Sequence, residues 1–335
     1  MTTPPDHPAI PAPRIGVLLI NLGTPNAPEP GSVRLYLKEF LSDPRVVEIP
    51  QLVWQPILRG IILNTRPKKS AHAYRQVWTE EGSPLAAITA RQARALAGAF
   101  GESVIVDHAM RYGKPAISER IDALKAQGCD RILIAPLYPQ YCAATTATAN
   151  DEAFFHLRRM RWQPAVRTLP PYHDDPAYIA ALAARLTEEL AALDFEPEAI
   201  LASFHGMPQR TLELGDPYHC HCRKTARLLS EKLGRELLVT FQSRFGRAKW
   251  LEPATDTTLA ALPGRGIRRV AILAPGFSAD CLETLEELSI RGRDTFMEAG
   301  GSHFAYLPCL NDSPIGIEML RSIVGRELEG WLRQV

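Results

Sequence analysis

Short apolar runs of strand length alternate along the chain with longer stretches whose apolar residues recur every three or four positions. That alternation is the pattern of βαβ units and a parallel sheet. Strands are expected at Ile15–Asn21, Ser103–Ala109, Arg131–Leu137, Ala199–Phe204, Leu237–Phe241 and Val270–Ala274. Helices are expected at Pro84–Phe100, Pro115–Gln127, Thr146–Arg161, Pro176–Leu193, Pro217–Leu233, Cys281–Glu298 and Ser313–Leu332. Many begin at or beside a proline, where the missing N–H does no harm.

A faint repeat runs through the pattern. Leu18–Pro25 and Leu201–Pro208 both end in Gly followed two residues later by Pro, and Arg131–Pro136 resembles Arg269–Pro275. Two similar α/β halves would explain this, as would chance likeness between apolar strands. The halves are expected at 15–172 and 173–312, with a C-terminal helix in 313–335 packing back on the first half. The first half is longer between its matching strands, and the excess falls in Val46–Ser83. There Leu52, Val53, Trp54, Ile57, Leu58, Ile61, Ile62 and Leu63 make a broad apolar face beside Arg59, Arg66, Lys68 and Lys69. Such a face is either an ordinary buried helix or a lip over a cleft, able to touch a flat apolar ligand or a membrane surface.

Composition narrows the classes. The 335 residues carry 38 Lys and Arg against 37 Asp and Glu, a net charge of +1. A nucleic-acid scaffold needs a basic surplus to neutralise phosphates, so that class is excluded. With 46% hydrophobic and 22% charged residues, wholesale disorder is excluded too. Five of the 28 prolines fall within residues 1–14, which read as a disordered leader. No apolar run approaches the roughly 20 residues that span a bilayer. The six cysteines form no small-scaffold disulfide pattern, so reduced thiols and a cytoplasmic location are expected. The charge is uneven. Residues 1–170 hold 20 Lys and Arg against 14 Asp and Glu, and the remainder 18 against 23.

In open α/β sheets ligands bind beyond the carboxyl ends of the strands, so those segments are the place to look for chemistry. They hold Asn21–Pro25, His108–Tyr112, Tyr138–Tyr141, Ser203–Pro208, Gln242–Gly246 with Lys249–Leu251, and Pro275–Glu287. None is a G-x-G-x-x-G or G-x-x-x-x-G-K-[ST] phosphate loop, and no G-x-S-x-G elbow occurs. His205 ends an apolar strand and precedes a glycine, as a structural or a functional imidazole would. Glu283 and Glu287 stand at i and i+4 on an expected helix, so their carboxylates share a side. Asp280 and Glu283 also fit a capping-box start, but a cap does not call for Glu286 and Glu287 one turn on. Neighbouring carboxylates repel unless a cation or proton sits among them. One imidazole and one carboxylate with sites left open suit a loosely held divalent iron or similar ion. Tyr112, Tyr138, Tyr141, Trp250 and Phe277 are available to line an apolar slot.

At these residues the chain closely resembles the ferrochelatases. Ser203–Pro208, Gln242–Pro253 and Pro275–Glu286 look like that family's motifs, joined by Leu19–Pro25, Arg111-Tyr112, Tyr138–Tyr141 and Gly215–Tyr218. The likeness runs in order from about Ile15 to the C-terminus. It implies two Rossmann-like halves, each a parallel sheet flanked by helices, with a porphyrin cleft between them. It implies insertion of Fe2+ into protoporphyrin IX to give protohaem, with no organic cofactor. By resemblance His205 and Glu283 are the iron and proton site, with Glu287 and Asp280 behind them as a carboxylate relay. Leu22, Arg111, Tyr112, Tyr138, Trp250 and Phe277 map onto porphyrin-contacting positions, with the propionates toward the basic side.

Departures from the family matter as well. Some ferrochelatases carry a [2Fe–2S] cluster on cysteines of a C-terminal extension, and this chain ends at Val335 without one. Cys142 lies near one ligand position of the animal enzymes, but its partners are missing. His219-Cys-His-Cys222 puts one residue between ligands, which splays them, so no cluster is expected. The same departure points to a monomer, with a homodimer as the alternative. Rival readings are a cobalt or nickel chelatase, an enzyme acting on coproporphyrin, or a non-catalytic tetrapyrrole carrier.

Overall fold

The computed structural model describes residues 13–246 and 248–332. Its strands are β1 (Arg14–Gly23), β2 (Val104–Tyr112), β3 (Cys129–Pro136), β4 (Ala165–Thr168), β5 (Ala199–His205), β6 (Leu238–Gln242), β7 (Arg269–Leu273) and β8 (His303–Leu307). The helices begin with α1 (Pro30–Ser42), α2 (Gln51–Ile57), α3 (Leu63–Val77), α4 (Pro84–Phe100), α5 (Ile117–Ala126) and α6 (Thr148–Leu157). They continue with α7 (Pro176–Ala191), α8 (Gln209–Glu213), α9 (Tyr218–Leu233), α10 (Thr255–Ala261), α11 (Arg293–Glu298) and α12 (Pro314–Glu327). Most of the proline-rich leader expected over residues 1–14 lies outside the described residues, and Arg14 already opens β1.

Two four-stranded parallel sheets form, in the orders β2-β1-β3-β4 and β6-β5-β7-β8. Both halves thus have the same order, and the matched segments Leu18–Pro25 and Leu201–Pro208 begin on the equivalent strands β1 and β5. The order reverses at these strands, which opens a crevice at their carboxyl ends. Residues Gly16–Ile20 of β1 are buried on both faces, as parallel strands covered by helices must be. The period of two then sorts them. Leu18 and Ile20 face α5 and α6 in one apolar cluster. Val17 and Leu19 face inward to a larger cluster that includes Leu182 and Leu186 of α7, Phe204 of β5, and Ile323 and Val324 of α12. One core therefore runs through both halves.

Several expectations need correcting. Arg111 and Tyr112 belong to β2 rather than to a loop beyond it. The edge strands β4 and β8 and helix α1 escaped the pattern. β4 and β8 are short and only partly buried, and α1 buries only Val33, Tyr36 and Leu41. The helix expected at Cys281–Glu298 is a π-helix over Glu283–Gly292 followed by α11. A second π-helical turn, Ala143–Ala147, precedes α6, and a third, Leu58–Ile62, joins α2 to α3. The broad apolar face of the insertion is split. Leu58 and Leu63 are buried against Leu41, whereas Leu52 is 93% exposed and Ile61 58%.

Polar bonds pin the halves together around the crevice. The buried Gln92 of α4 donates from Nε2 to the carbonyls of Ser278, 3.0 Å away, and Asn311, 2.9 Å away. Beside it Arg91 meets Asp312 at 2.7 Å. On the other side Gln140 donates to Thr225 at 3.0 Å, and the Ala143 N–H donates to Asp216 at 2.8 Å. Replacing Gln92 with Ala leaves two buried carbonyls without donors, at about 2 kcal/mol. The expected outcome is a lower midpoint in urea unfolding with an unchanged slope. An unaltered midpoint contradicts this account of the joint.

Candidate active site

The second sheet builds the reactive edge. Its strand β5 is apolar but for Ser203 until it reaches His205, whose Nδ1 lies 2.7 Å from the Gly206 carbonyl oxygen. A carbonyl only accepts, so Nδ1 carries a proton, and the tautomer this selects is the one whose lone pair lies on Nε2. Gly206 returns an N–H to the Gln242 carbonyl at 2.7 Å, and a Cβ on it would sit 2.5 Å from that oxygen. Only glycine fits there. The Gln242 side chain accepts from Ser203 Oγ at 2.8 Å and donates to the Glu283 carbonyl at 2.8 Å. Ser203 continues to Thr255 and Thr240 through hydroxyl contacts of 2.8 and 2.9 Å. This buried polar ladder ties the ends of β5 and β6 to the first residue of the π-helix.

In a π-helix the partners are five residues apart. Arg291 accordingly reaches Glu286, donating from Nε to both carboxylate oxygens at 2.9 and 3.0 Å. The charge of Glu286 is thereby balanced by Arg291. Arg291 is the cation among the neighbouring carboxylates, and nothing in the motif pointed to it. Glu287 takes the Ser243 N–H at 2.7 Å and the Ser243 hydroxyl at 2.5 Å, one on each oxygen. Burial pushes its carboxyl above the ordinary range, against the pull of the Ser243 hydroxyl, the nearby His205 and Arg291. Glu283 lies toward the first half. After burial itself, its charge is among the influences that push the phenols of Tyr74, on α3, and Tyr36, on α1, well above their usual values.

Asp280 is placed differently from a helix cap or an open carboxylate. One oxygen accepts from Thr284 at 2.9 Å and from the Tyr306 hydroxyl, and the other from Asn311 Nδ2 at 2.6 Å. With both oxygens held by donors, it ties the loop after β7 to β8 and the segment beyond.

The opposite wall comes from the first half. Leu22, at the end of β1, and Phe277, after β7, pack on one apolar cluster with Leu85, Ile88, Ala279 and Cys281. They mark the seam between the halves. Tyr138 is half-buried against the β1 cluster, and its hydroxyl is buried with no hydrogen-bond partner among the described residues. Trp250 bridges to Pro208 and donates from Nε1 to the Phe245 carbonyl at 3.0 Å. Arg66 of the lip sits 4.9 Å over the Phe245 ring, so the insertion reaches the far wall. Arg111 and Tyr112 form a separate group around Asp43, a residue the sequence pattern did not single out. Asp43 accepts from Arg111 at 2.7 Å, from the Tyr112 hydroxyl at 2.8 Å and from Thr148. Tyr112 is wholly buried, and Arg111 is also bonded to Thr148, so both are held in one polar group with Asp43.

His205, Glu287, Ser243 and Trp250 are thus gathered by the second half, and Glu283 by the seam. Among the described residues no group of three or more His, Cys, Asp and Glu is placed to hold a metal. His219–Cys222 lies in the first turn of α9, where Cys220 is exposed, Cys222 buried, and His221 stacks on His173 at 3.6 Å.

The ferrochelatase family model matches residues 14–328. A ferrochelatase of Rhizobium meliloti is 56% identical over 334 residues, covering 98% of each chain. One from Rhodopseudomonas palustris is 54% identical over 330 residues, covering 96% of each. Among solved structures, SirB from Bacillus subtilis with Fe3+ is similar in fold, with a TM-score of 0.56 at 13% identity, covering 95% of this chain and 97% of that one. The sirohydrochlorin chelatase SirB from Bacillus subtilis subspecies spizizenii, in complex with cobalt, gives a TM-score of 0.53 at 11% identity over the same shares. At that identity the likeness concerns the fold, two parallel sheets flanked by helices. By family match and by whole-length relatives, this chain belongs to the ferrochelatases.

Proposed function

We propose that the chain inserts Fe2+ into protoporphyrin IX to give protohaem, the last step of haem synthesis. The reaction replaces two pyrrole N–H protons by one iron dication, so the site must accept two protons while a desolvated cation approaches the nitrogen lone pairs. The observation that carries this reading is the state of His205. Its Nδ1–H is spent on the Gly206 carbonyl, which leaves Nε2 free to face the substrate at the sheet edge, on the strand paired with the one that leads to Ser243 and its partner Glu287. Iron is the substrate here, and His205 with Glu283 is the pair assigned to iron and proton handling. Glu287 receives protons behind them, held by Ser243. Asp280, with its oxygens occupied by donors, keeps the loop in place rather than carrying protons.

Leu22, Phe277, Tyr138 and Trp250 line the slot for the macrocycle. Arg111 and Tyr112 stiffen its wall through Asp43. A slot that holds the porphyrin bent exposes the lone pairs that a planar ring hides. The propionates face the basic first half.

Leu52, Val53, Ile57 and Ile61 are the exposed side of the lip, and among the described residues no helix is long and apolar enough to cross a membrane. The lip is accordingly read as a peripheral membrane contact on a monomeric, cytoplasmic enzyme. No organic cofactor and no [2Fe–2S] cluster take part in this reading.

Anaerobic incubation with Fe2+ and protoporphyrin IX should convert the porphyrin Soret band to that of haem. His205→Ala should abolish the conversion while porphyrin binding, followed by fluorescence quenching, stays near the parental level. Turnover at the parental rate removes His205 from the mechanism. The same assay with Co2+ and Zn2+, and with coproporphyrin, separates the other chelatase readings, and binding without conversion of either porphyrin leaves a carrier.

The lip makes its own prediction. A Leu52→Asp/Ile61→Asp double variant should lose co-sedimentation with phosphatidylglycerol and phosphatidylethanolamine vesicles, because two exposed apolar side chains of the lip become charged. Its turnover on detergent-solubilised porphyrin should remain. Undiminished vesicle binding refutes the lip as the contact.

A further inference from the structure

Ser243 stands in the loop just after β6, and its backbone is in the left-handed region with φ of 66°. That conformation costs a side-chain-bearing residue energy that glycine does not bear, so a serine kept there is held by what its surroundings gain. If the loop needed only the turn, glycine would serve better. The gain is visible in the geometry. The left-handed turn swings the Ser243 N–H and Oγ to the same side, where they meet the two separate oxygens of Glu287 at 2.7 and 2.5 Å. Two donors from one residue fix the carboxylate plane as well as its position.

The clamp has a definite setting. His205 ends β5 in register with Gln242 of β6, the residue just before Ser243, so the imidazole and the clamp stand at one sheet edge. Beside Glu287 is a cavity of about 120 Å3 lined by Ser243, Arg244, Asp256, Glu287 and Arg291. Arg291 approaches Glu287 no closer than 3.8 Å, and Arg244 is engaged by Asp256 at 2.7 Å. Neither arginine competes with the serine for the carboxylate. Among the described residues, the hydrogen bonds recorded on the Glu287 carboxylate come from Ser243, and they aim it beside a polar cavity with room for water.

We propose that Ser243 is a positioning residue for the metallation reaction, its paired donors holding the Glu287 carboxylate in the orientation that accepts protons from the His205 side. The proposal rests on the reading of Glu287 as a proton acceptor given above. Ser243 itself touches neither porphyrin nor iron in this role.

Ser243→Gly is the informative change. It keeps the N–H and the positive φ and removes the hydroxymethyl group, and with it the hydroxyl donor. The expected result is a kcat reduced about tenfold, the scale of one hydrogen bond to a charged group, with KM for protoporphyrin unchanged and thermal stability equal or higher. Glu287→Gln alone should lower kcat further, and adding Ser243→Gly to it should cost almost nothing, because the clamp then has no carboxylate to aim. Parental kcat in Ser243→Gly, with Glu287→Gln impaired, overturns the serine's role and leaves the reading of Glu287 standing. Parental kcat in Glu287→Gln overturns that reading and the proposal with it. Losses that multiply in the double variant, or a lower Tm accompanied by a raised KM, show a serine that only shapes the loop and also overturn the proposal.

Discussion

The ends of β5 and β6 approach so closely at Gly206 that a single methyl group on that residue would sit 2.5 Å from the Gln242 carbonyl. Much of the site hangs on this contact. It fixes the backbone on which His205 stands, and the Gly206 carbonyl that orients the imidazole belongs to the same residue. The Gln242 side chain then carries the constraint across to the Glu283 carbonyl, while the following residue, Ser243, grips Glu287. One tight strand pairing thereby sets the positions of an imidazole and two carboxylates that are far apart in the chain.

Charge is managed in the same economical way. Several carboxylates crowd the segment after β7, and each has a different fate. Glu286 is compensated by Arg291 one π-turn away, Asp280 is saturated by hydroxyl and amide donors, and Glu287 is half-buried with its own pair of donors. The π-helix matters to this division. Its longer turn brings residues five apart together, which directs Arg291 to Glu286 and leaves Glu287 to Ser243. In the first half Asp43 does the reverse, gathering Arg111, Tyr112 and Thr148 into a rigid support. The near-neutral total is thus a sum of locally compensated groups.

Periodicity in the chain was enough to place the two parallel sheets, the central strands and most long helices, because fully buried strands such as β1 admit only apolar residues. The motifs placed His205, Glu283, Glu287 and Trp250 at strand ends, and strand ends are where an open α/β sheet exposes its chemistry. Edge strands β4 and β8 stayed hidden, since a strand that is half exposed needs no apolar run.

What only the tertiary structure decided is which polar group meets which. Asp43 and Arg291 are unremarkable in sequence, and the partners that hold Arg111, Tyr112 and Asp280 are visible only in the structure. Ser243 carries no sequence signal for a left-handed backbone, because serine is not a residue that favours it. The division follows from the forces involved. Burial of apolar surface is non-directional and depends on residue type and spacing, so it can be read along one dimension. A hydrogen bond depends on distances and angles within tenths of an ångström, and those exist only once distant strands have come together.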